Sequence, residues 1–283
     1  MTTGRAIVLA RGLGTRMRAP DPSVHLTAEQ QRAANTGVKA MMPLNGRPFL
    51  DFILSSLADA GVLHVGLVVA PDHTALRRYY EIDAPASRIR VDFVVQAEPL
   101  GTANAVLAAE RWIAGEPFLT MNADNLYPVD VLRKLASLSE PGLPAFDAEE
   151  LVASSNIPPE RIGSFAILDV DEQEYLTGIV EKPAQDLPAQ AGSYRGPTGW
   201  LPALAGRLIS MNCWRFDEHI FRACREVPKS ARGEYELPEA VGVAVRRGAK
   251  FKTFRAQGPV LDLSTRADAA DVARRLGDIS PRP

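Results

Sequence analysis

Hydrophobic residues in this chain form short continuous runs that alternate with segments of helical periodicity. Residues 6–10 make up the first run. In the segment 49–60, apolar side chains recur about every 3.6 residues, as at Phe49, Phe52 and Ile53. The early runs are apolar throughout, which is typical of a mostly parallel sheet with helices on both faces. The pattern predicts an α/β fold in three layers with a mostly parallel central sheet.

The same pattern gives bounds for the individual elements. The predicted strands are 6–10, 65–70, 91–95, 118–121, 164–169, 178–181, 207–214 and 250–256. The predicted helices are 49–60, 74–80, 104–113, 128–138, 218–224, 237–247 and 266–276. The stretch 164–214 alternates more and is broken by turns, so antiparallel strands are expected there. A short helix is predicted at 27–34, where Thr27 and Gln30 have capping-box spacing, and another near 146–153.

The length of 283 residues would suit about two domains or one large α/β domain, and a single domain over residues 1–283 is predicted. We expect a first half at about 1–135 and a second half at about 160–283. Between them, 139–159 is rich in proline and is predicted to be an insertion. The polar stretch 18–38 is predicted to be a second loop. At 46% hydrophobic and 23% charged residues, the chain has ample apolar material for a core.

Charge and cysteine content narrow the class of protein. The net charge of −2 gives no reason to expect nucleic acid or an anionic membrane as partner. Cys213 and Cys224 lack the spacing of a zinc site or a disulfide framework and are expected to be reduced core thiols. Neither a signal peptide nor a long apolar span is recognisable. These features predict a cytoplasmic protein.

The first predicted strand leads into a loop with two glycines. Gly12 and Gly14 allow a sharp turn that brings bare N–H groups close to an anion, and Thr15 and Arg16 follow at once. A dinucleotide-binding fingerprint would need glycine at Met17, and no Gly-Lys-Ser/Thr of a Walker A loop is present. The loop is therefore either a phosphate cradle or an ordinary tight turn, and residues further along the chain must decide.

Polar residues follow several other predicted strands. Lys39 precedes an apolar run, Gln96 and Asp124 end strands, Lys182 lies in a Glu-Lys-Pro segment, and Asp262 precedes the last helix. Each has an ordinary alternative role, as a solvated charge, a capping amide or a turn acceptor. In an open α/β sheet, however, the carboxyl ends of the strands face one crevice.

Such a crevice would bring together three cations and two carboxylates. Arg16, Lys39 and Lys182 would neutralise phosphate oxygens, while Asp124 and Asp262 would bind a hard divalent cation. This combination suits a nucleoside triphosphate with Mg²⁺.

The motifs together resemble the nucleotidyltransferase family that makes nucleoside-diphosphate sugars from a sugar 1-phosphate and a nucleoside triphosphate. The matching motifs are Leu-Ala-x-Gly-x-Gly-Thr-Arg-Met at 9–17, Lys39 with Pro43, Leu44 and Pro48, Pro-Leu-Gly-Thr-Ala at 99–103, Asp124, Glu-Lys-Pro at 181–183, and Arg-Gly-Glu at 232–234. The match covers essentially the whole chain. It is closest in length to the thymidylyl- and uridylyltransferases that act on glucose 1-phosphate.

The resemblance implies a Rossmann-like fold with a nucleotide-binding half at about 1–135 and, at about 160–283, a sugar-binding half with the C-terminal helix. It also implies an enzyme that uses Mg²⁺ and, because relatives are commonly dimers or tetramers, a homo-oligomer. Its implied nucleotide-binding residues are Leu9, Ala10, Gly12, Gly14, Thr15, Gln96 and Gly101. Its implied catalytic residues are Arg16, Lys39, Asp124 and Lys182. Gly163, Glu181 and Asn212 are implied for the sugar, and Asp124 and Asp262 for the metal.

The chain departs from the family pattern at several positions. Arg11 stands where relatives have alanine or glycine, Ala123 and Ser264 replace glycines beside the two aspartates, and the stretch 18–38 is longer than in most relatives. Two alternatives therefore stay open: a non-catalytic relative that binds nucleotides or sugars as a regulatory subunit, and a cytidylyltransferase that uses a non-sugar phosphate.

Overall fold

The computed structural model describes residues 3–181 and 206–283. The strands in these ranges are β1 (Arg5–Leu9), β2 (Pro43–Leu44), β3 (Arg47–Pro48), β4 (His64–Val69), β5 (Arg90–Val95), β6 (Phe118–Asn122), β7 (Asn125–Leu126), β8 (Gly142–Asp147), β9 (Ala166–Val170), β10 (Leu176–Val180), β11 (Leu208–Ser210), β12 (Trp214–Phe216), β13 (Lys252–Ala256) and β14 (Leu261–Asp262).

The helices in the same ranges are α1 (Thr15–Arg18), α2 (Ala28–Thr36), α3 (Phe49–Asp59), α4 (Thr74–Arg78), α5 (Thr102–Ala108), α6 (Glu110–Ile113), α7 (Val129–Ser137), α8 (Ala148–Ser154), α9 (Pro159–Ile162), α10 (His219–Glu226), α11 (Leu237–Arg246) and α12 (Asp268–Leu276). A 3₁₀ turn covers Lys39–Met41, and a π turn at Tyr79–Asp83 extends α4. None of the helices in the described ranges has the length and apolar character needed to span a bilayer.

Ten of the described strands form one mixed sheet, in the order β10-β9-β11-β8-β12-β6-β1-β4-β5, with β13 paired to β8. The strands β6, β1, β4 and β5 run parallel to one another. The strands β9, β10, β11 and β12 add antiparallel pairs. All four parallel strands therefore present their carboxyl ends at the same edge of the sheet.

Successive residues of the central strands pack into different cores. In β1, Ala6 and Val8 belong to one buried cluster, which includes Phe49 of α3, while Ile7 belongs to a second. The second cluster, on the other face, contains Trp214. Because both faces are covered, these strands are apolar throughout, and the predicted three-layer α/β fold is confirmed.

Most predicted elements are present within a few residues of their predicted bounds, and two of them are divided. The predicted strand 207–214 is split into β11 and β12, and between them Asn212 has a positive φ of 56°. The predicted helix 104–113 is split into α5 and α6. Apolar pattern alone does not show such interruptions, because residues within the breaks, such as Ala109, Met211 and Cys213, are themselves buried.

The prediction of an insertion at 139–159 is wrong for its first part. Gly142–Asp147 forms β8, a buried strand inside the sheet that pairs with β11, β12 and β13. Prolines argue against an internal strand because they cannot donate to the ladder. Here β8 pairs with β12 only at Gly142 and with β11 only at Phe146 and Asp147, so that the ladder on this edge is already open beside Pro144.

The stretch 18–38, predicted as a loop with a short helix, contains α2. The predicted capping box is confirmed: Thr27 Oγ1 accepts from the backbone N of Gln30, and the Gln30 side chain accepts from the backbone N of Thr27. The helix ends at Gly37, whose φ of 75° is favourable only for residues without a Cβ.

Candidate active site

A cleft of about 360 Å³ opens at the carboxyl ends of the parallel strands. The predicted site residues that line it are Leu9, Ala10, Gly12, Gly14, Thr15, Arg16, Lys39, Gln96, Gly101 and Asp124. Further lining residues include Arg11, Gly37, Asn122, Arg232 and Glu234. The structure thus brings the predicted nucleotide-binding residues and three of the four predicted catalytic residues into one cleft, although they are spread over more than a hundred positions of the chain.

The phosphate loop, residues 10–16, connects β1 to α1. Gly14 precedes the helix with a left-handed φ of 62°, which a residue with a Cβ adopts only at a cost. Thr15 and Arg16 form the first turn of α1, where backbone N–H groups have no partner within the helix. The loop therefore offers N–H donors and one guanidinium to an anion in the cleft.

Lys39 and Asp124 form an ion pair inside the cleft. Lys39 lies in the 3₁₀ turn after α2, and Asp124 lies in the turn between β6 and β7. The distance from Lys39 Nζ to Asp124 Oδ2 is 2.8 Å, and the two side chains are 15% and 24% exposed. Both charges are therefore accessible to a ligand that enters the cleft.

Gln96 follows β5 and is almost completely buried. Its Nε2 donates to Gly101 O at 3.1 Å and to Asn104 Oδ1 at 2.8 Å. These bonds occupy both amide hydrogens and leave Oε1 as an acceptor. The neighbouring Arg11 donates from Nε to Gln96 O at 2.8 Å and from Nη2 to Ala97 O at 3.0 Å, so that it ties the phosphate loop to the end of β5.

Asp262 lies on β14 beside Asn125 of β7, close to Asp124, but its side chain is only 3% exposed. Its Oδ1 accepts from Arg161 Nη1 at 2.8 Å, and its Oδ2 accepts from Asn125 Nδ2 at 3.0 Å. Arg161 also bonds Asp268 at 2.9 Å. Burial raises the pKa of Asp262 above its ordinary value, and the nearby charge of Asp124 raises it further.

The donor set decides whether a metal fits. Among the described residues, no group of three or more Asp, Glu, His or Cys side chains could hold an ion by itself. Mg²⁺ in proteins is commonly held by one or two carboxylates together with substrate phosphates and water. The repulsion between Asp124 and Asp262 is the kind of electrostatic cost that a cation relieves. The residues therefore fit a metal that enters with a polyphosphate.

The residues predicted for the sugar do not line the cleft within the described part of the chain. Gly163 ends α9, Glu181 follows β10, and Asn212 lies in the break between β11 and β12. The buried Oδ1 of Asn212 has no hydrogen-bond partner among the described residues. The predicted catalytic residue Lys182 lies outside the residues that the structure describes.

The comparisons with known proteins agree with this geometry. The family model for nucleotidyl transferases matches residues 5–263. The chain belongs to the nucleotidyl transferase family. The predicted resemblance is therefore confirmed.

Similar proteins include a glucose-1-phosphate thymidylyltransferase from Streptomyces antibioticus, 27% identical over 98% of this chain and 68% of that protein. The UTP–glucose-1-phosphate uridylyltransferase AglF from Haloferax volcanii is 26% identical over 96% of both chains. A crystal structure of a UDP-glucose pyrophosphorylase complexed with UDP-glucose superposes with a TM-score of 0.71 at 17% identity, covering 97% of this chain and 98% of that one. The last match supports the fold only.

Sequence reasoning noted the Arg-Gly-Glu motif at 232–234 but gave Arg232 and Glu234 no role, and it did not single out Arg161. Arg232 and Glu234 reach the cleft because the Arg-Gly-Glu segment packs on Gly101, where a Cβ would lie 2.6 Å from Tyr235 O. The motif at 232–234 was itself the signal that could have identified them. Arg161 gave no comparable signal, because its partners lie more than a hundred positions away.

Proposed function

We propose that this nucleotidyl transferase transfers a nucleoside monophosphate from a nucleoside triphosphate to a sugar 1-phosphate, giving a nucleoside-diphosphate sugar and pyrophosphate. The observation that carries the proposal is the cleft in which the phosphate loop, Arg16, Lys39 and Asp124 converge at the ends of parallel strands. Names of similar proteins, thymidylyl- and uridylyltransferases acting on glucose 1-phosphate, support this substrate class.

The reaction needs positioning more than acid–base chemistry. A phosphate oxygen of the sugar 1-phosphate is already an anion, so it attacks the α-phosphorus in line without a general base while pyrophosphate leaves on the opposite side. Gly12, Gly14 and Thr15 would hold the triphosphate through backbone N–H groups. Arg16 would neutralise the departing pyrophosphate, and Lys39 would bind the α- and β-phosphates.

Asp124 and Asp262 are the residues that would hold Mg²⁺. When bound, the ion supplies charge neutralisation for the phosphate oxygens. Asp124 is the accessible ligand of the two, since its partner Lys39 can move to a phosphate, whereas Asp262 is fixed by Arg161 and Asn125. Each carboxylate oxygen has more than one acceptor position, which leaves room for a cation beside these bonds.

For the base, we propose recognition by Gln96 and Gly101. Gln96 Nε2 makes two donor bonds within the protein, so its Oε1 is left to accept a hydrogen bond from the base. Leu9 and Ala10 would contact the nucleoside from the end of β1.

For the sugar, we propose Lys182 on the phosphate and Gly163, Glu181 and Asn212 around the hydroxyl groups. The Oδ1 of Asn212, which has no partner within residues 3–181 and 206–283, supports a polar ligand here, because a sugar hydroxyl could donate to it. Homo-oligomer formation and a cytoplasmic location stay predictions.

Pyrophosphate release tests the proposal. The protein is mixed with Mg²⁺ and each of UTP, dTTP, ATP, GTP and CTP against a panel of hexose 1-phosphates and against phosphocholine, with the Asp124→Asn variant as control. Release that requires both substrates and Asp124 supports the proposal. Triphosphate binding without release indicates a regulatory binder, and release only with CTP and phosphocholine indicates a non-sugar cytidylyltransferase; either result overturns it.

A further inference from the structure

Arg266 joins three segments that are far apart in the chain, directly behind the phosphate loop. It is nearly buried, at 6% exposed. Its Nε donates to Met17 O at 2.9 Å, and its Nη2 donates to Arg18 O at 3.1 Å and to Asn35 Oδ1 at 2.9 Å. The guanidinium thus connects the segment after Asp262 to the end of α1 and to the end of α2.

The backbones of the phosphate loop and of the 18–38 segment also touch at two glycines. A Cβ on Gly14 would overlap the carbonyl of Gly37, and a Cβ on Gly37 would lie 2.6 Å from Leu13 O. Arg18 adds two hydrogen bonds, from Nε at 3.2 Å and from Nη2 at 2.7 Å, to Thr36 O. The longer 18–38 segment therefore packs against the loop and does not extend away from it.

These contacts matter because α1 is too short to be stable alone. It has four residues, and an isolated helical turn does not offset the entropy of its own nucleation. The carbonyls that Arg266 binds belong to the last turn of α1, where a cation is favourable. Holding this end fixes the other end, which presents Thr15 and Arg16 to the cleft.

The same contacts place Lys39. The backbone N of Lys39 donates to Gly37 O at 3.0 Å, the carbonyl that Gly14 packs against. A shift of α2 would therefore move the phosphate loop and the lysine together.

We propose that Arg266 is a positioning residue that, together with α2, holds the phosphate loop and Lys39 in the geometry that binds the triphosphate. Arg266 does not line the cleft among the described residues and acts through α1 and Asn35. The inference rests on the proposed function, because it assigns a nucleoside triphosphate to this cleft.

A purely structural role for a buried arginine is the competing explanation, and Arg215 provides the matched control. Arg215 is 4% exposed, and its Nε donates to Thr3 Oγ1 at 3.0 Å, near the amino end of β1 and away from the cleft. Arg215→Gln removes a buried guanidinium just as Arg266→Gln does, but it leaves the phosphate loop untouched.

The experiment compares Arg266→Gln, Arg266→Lys, Asn35→Ala and Arg215→Gln in steady-state pyrophosphate release with UTP or dTTP and glucose 1-phosphate. We expect Arg266→Gln to raise the KM for the triphosphate roughly 10- to 100-fold, because small displacements of binding groups are costly. The KM for glucose 1-phosphate should stay within about twofold. Arg266→Lys, which keeps the charge but not the fork, and Asn35→Ala should give smaller increases.

Hydrogen exchange followed by mass spectrometry gives a second readout that does not depend on turnover. In Arg266→Gln, peptides covering residues 10–18 and 35–40 should exchange faster than in the wild type, whereas Arg215→Gln should leave them unchanged. If Arg266→Gln does not fold, Asn35→Ala carries the test by the same two measurements.

Two results would overturn the inference. One is an unchanged triphosphate KM with unchanged exchange in Arg266→Gln or, if that variant is unfolded, in Asn35→Ala. The other is an equal increase of the triphosphate KM in Arg215→Gln. If the wild type releases no pyrophosphate with any substrate pair, the proposed function fails, and the exchange data still decide whether Arg266 orders the loop.

Discussion

Asp124 lines the cleft and Asp262 lies close behind it, paired with the neighbouring Asn125, yet the surroundings of the two carboxylates differ. Asp124 is 24% exposed and bonds one cation, Lys39, which is itself 15% exposed. Asp262 is 3% exposed and bonds Arg161 and Asn125, while its backbone N and O both bond the side chain of Asn156 at 2.7 Å. The Lys39–Asp124 pair is therefore accessible to a ligand, whereas Arg161 joins two buried carboxylates. The pair at Asp124 is suited to chemistry, and the network at Asp262 is suited to holding the site in shape.

The largest effect is expected from the buried network. Replacing Arg161 by alanine leaves the carboxylates of Asp262 and Asp268 buried without their cation, which should lower the free energy of unfolding by about 3–5 kcal/mol. Lys39→Ala, which breaks the more open pair, should cost no more than about 1 kcal/mol. Urea unfolding of both variants measures the difference. Equal losses of unfolding free energy in the two variants would mean that the buried and the more open ion pairs contribute equally to stability.

Changing Asp124, in contrast, is expected to lower turnover and to leave the stability of the protein almost unchanged. Asp124→Asn should reduce turnover by roughly 10²–10³-fold or more, as does the loss of one preorganised electrostatic group, while the unfolding midpoint hardly changes. Steady-state pyrophosphate release with a urea titration alongside tests this. Near-normal turnover in this variant would remove Asp124 from the active site.

Metal binding should depend more on the carboxylate of Asp124 than on that of Asp262. If Asp124 is the accessible ligand, Mg²⁺ with a nucleoside triphosphate should stabilise the wild type by about 2.7 kcal/mol at a hundred times the dissociation constant. Thermal unfolding with and without EDTA measures the gain. We expect Asp124→Asn to lose most of the metal-dependent part, and a full gain in that variant would assign the metal to other residues.

The smallest effect is expected at a third carboxylate, Asp92, at the opposite, amino-terminal edge of the parallel strands. Burial tends to raise the pKa of Asp92, but hydrogen bonds from His64, Trp112 and Arg90 outweigh it and leave the pKa below its ordinary value. Its contribution to stability is therefore present at neutral pH and is lost as the pH falls through the lowered pKa.

Replacing Asp92 by asparagine should therefore flatten the loss of stability as the pH falls below the ordinary pKa of an aspartate, without affecting pyrophosphate release. Urea unfolding across this range, with the exposed Asp130→Asn as control, measures the effect. If Asp92→Asn lost stability at low pH as steeply as the wild type does, the hydrogen bonds to Asp92 would not contribute to the pH dependence of folding.

Local pattern explains why much of the site could be predicted. Gly12, Gly14, Gln96 and Asp124 directly follow apolar runs, and in a parallel sheet this position alone places them at the cleft. Local pattern did not predict β8, because this strand contains Pro144. A proline is tolerated there only because the adjacent ladder is open, and this depends on the path of β11 and β12.

The sequence by itself determined the alternation of elements, the glycine loop and the set of charged residues, because burial periodicity and backbone freedom are local properties. Only the tertiary structure decided which charges meet: Lys39 with Asp124, Arg161 with Asp262, and Arg266 with the end of α1. These partners lie 85, 101 and 249 positions apart. Strand order and helix packing bring them together, and no periodicity along the chain records such a distance.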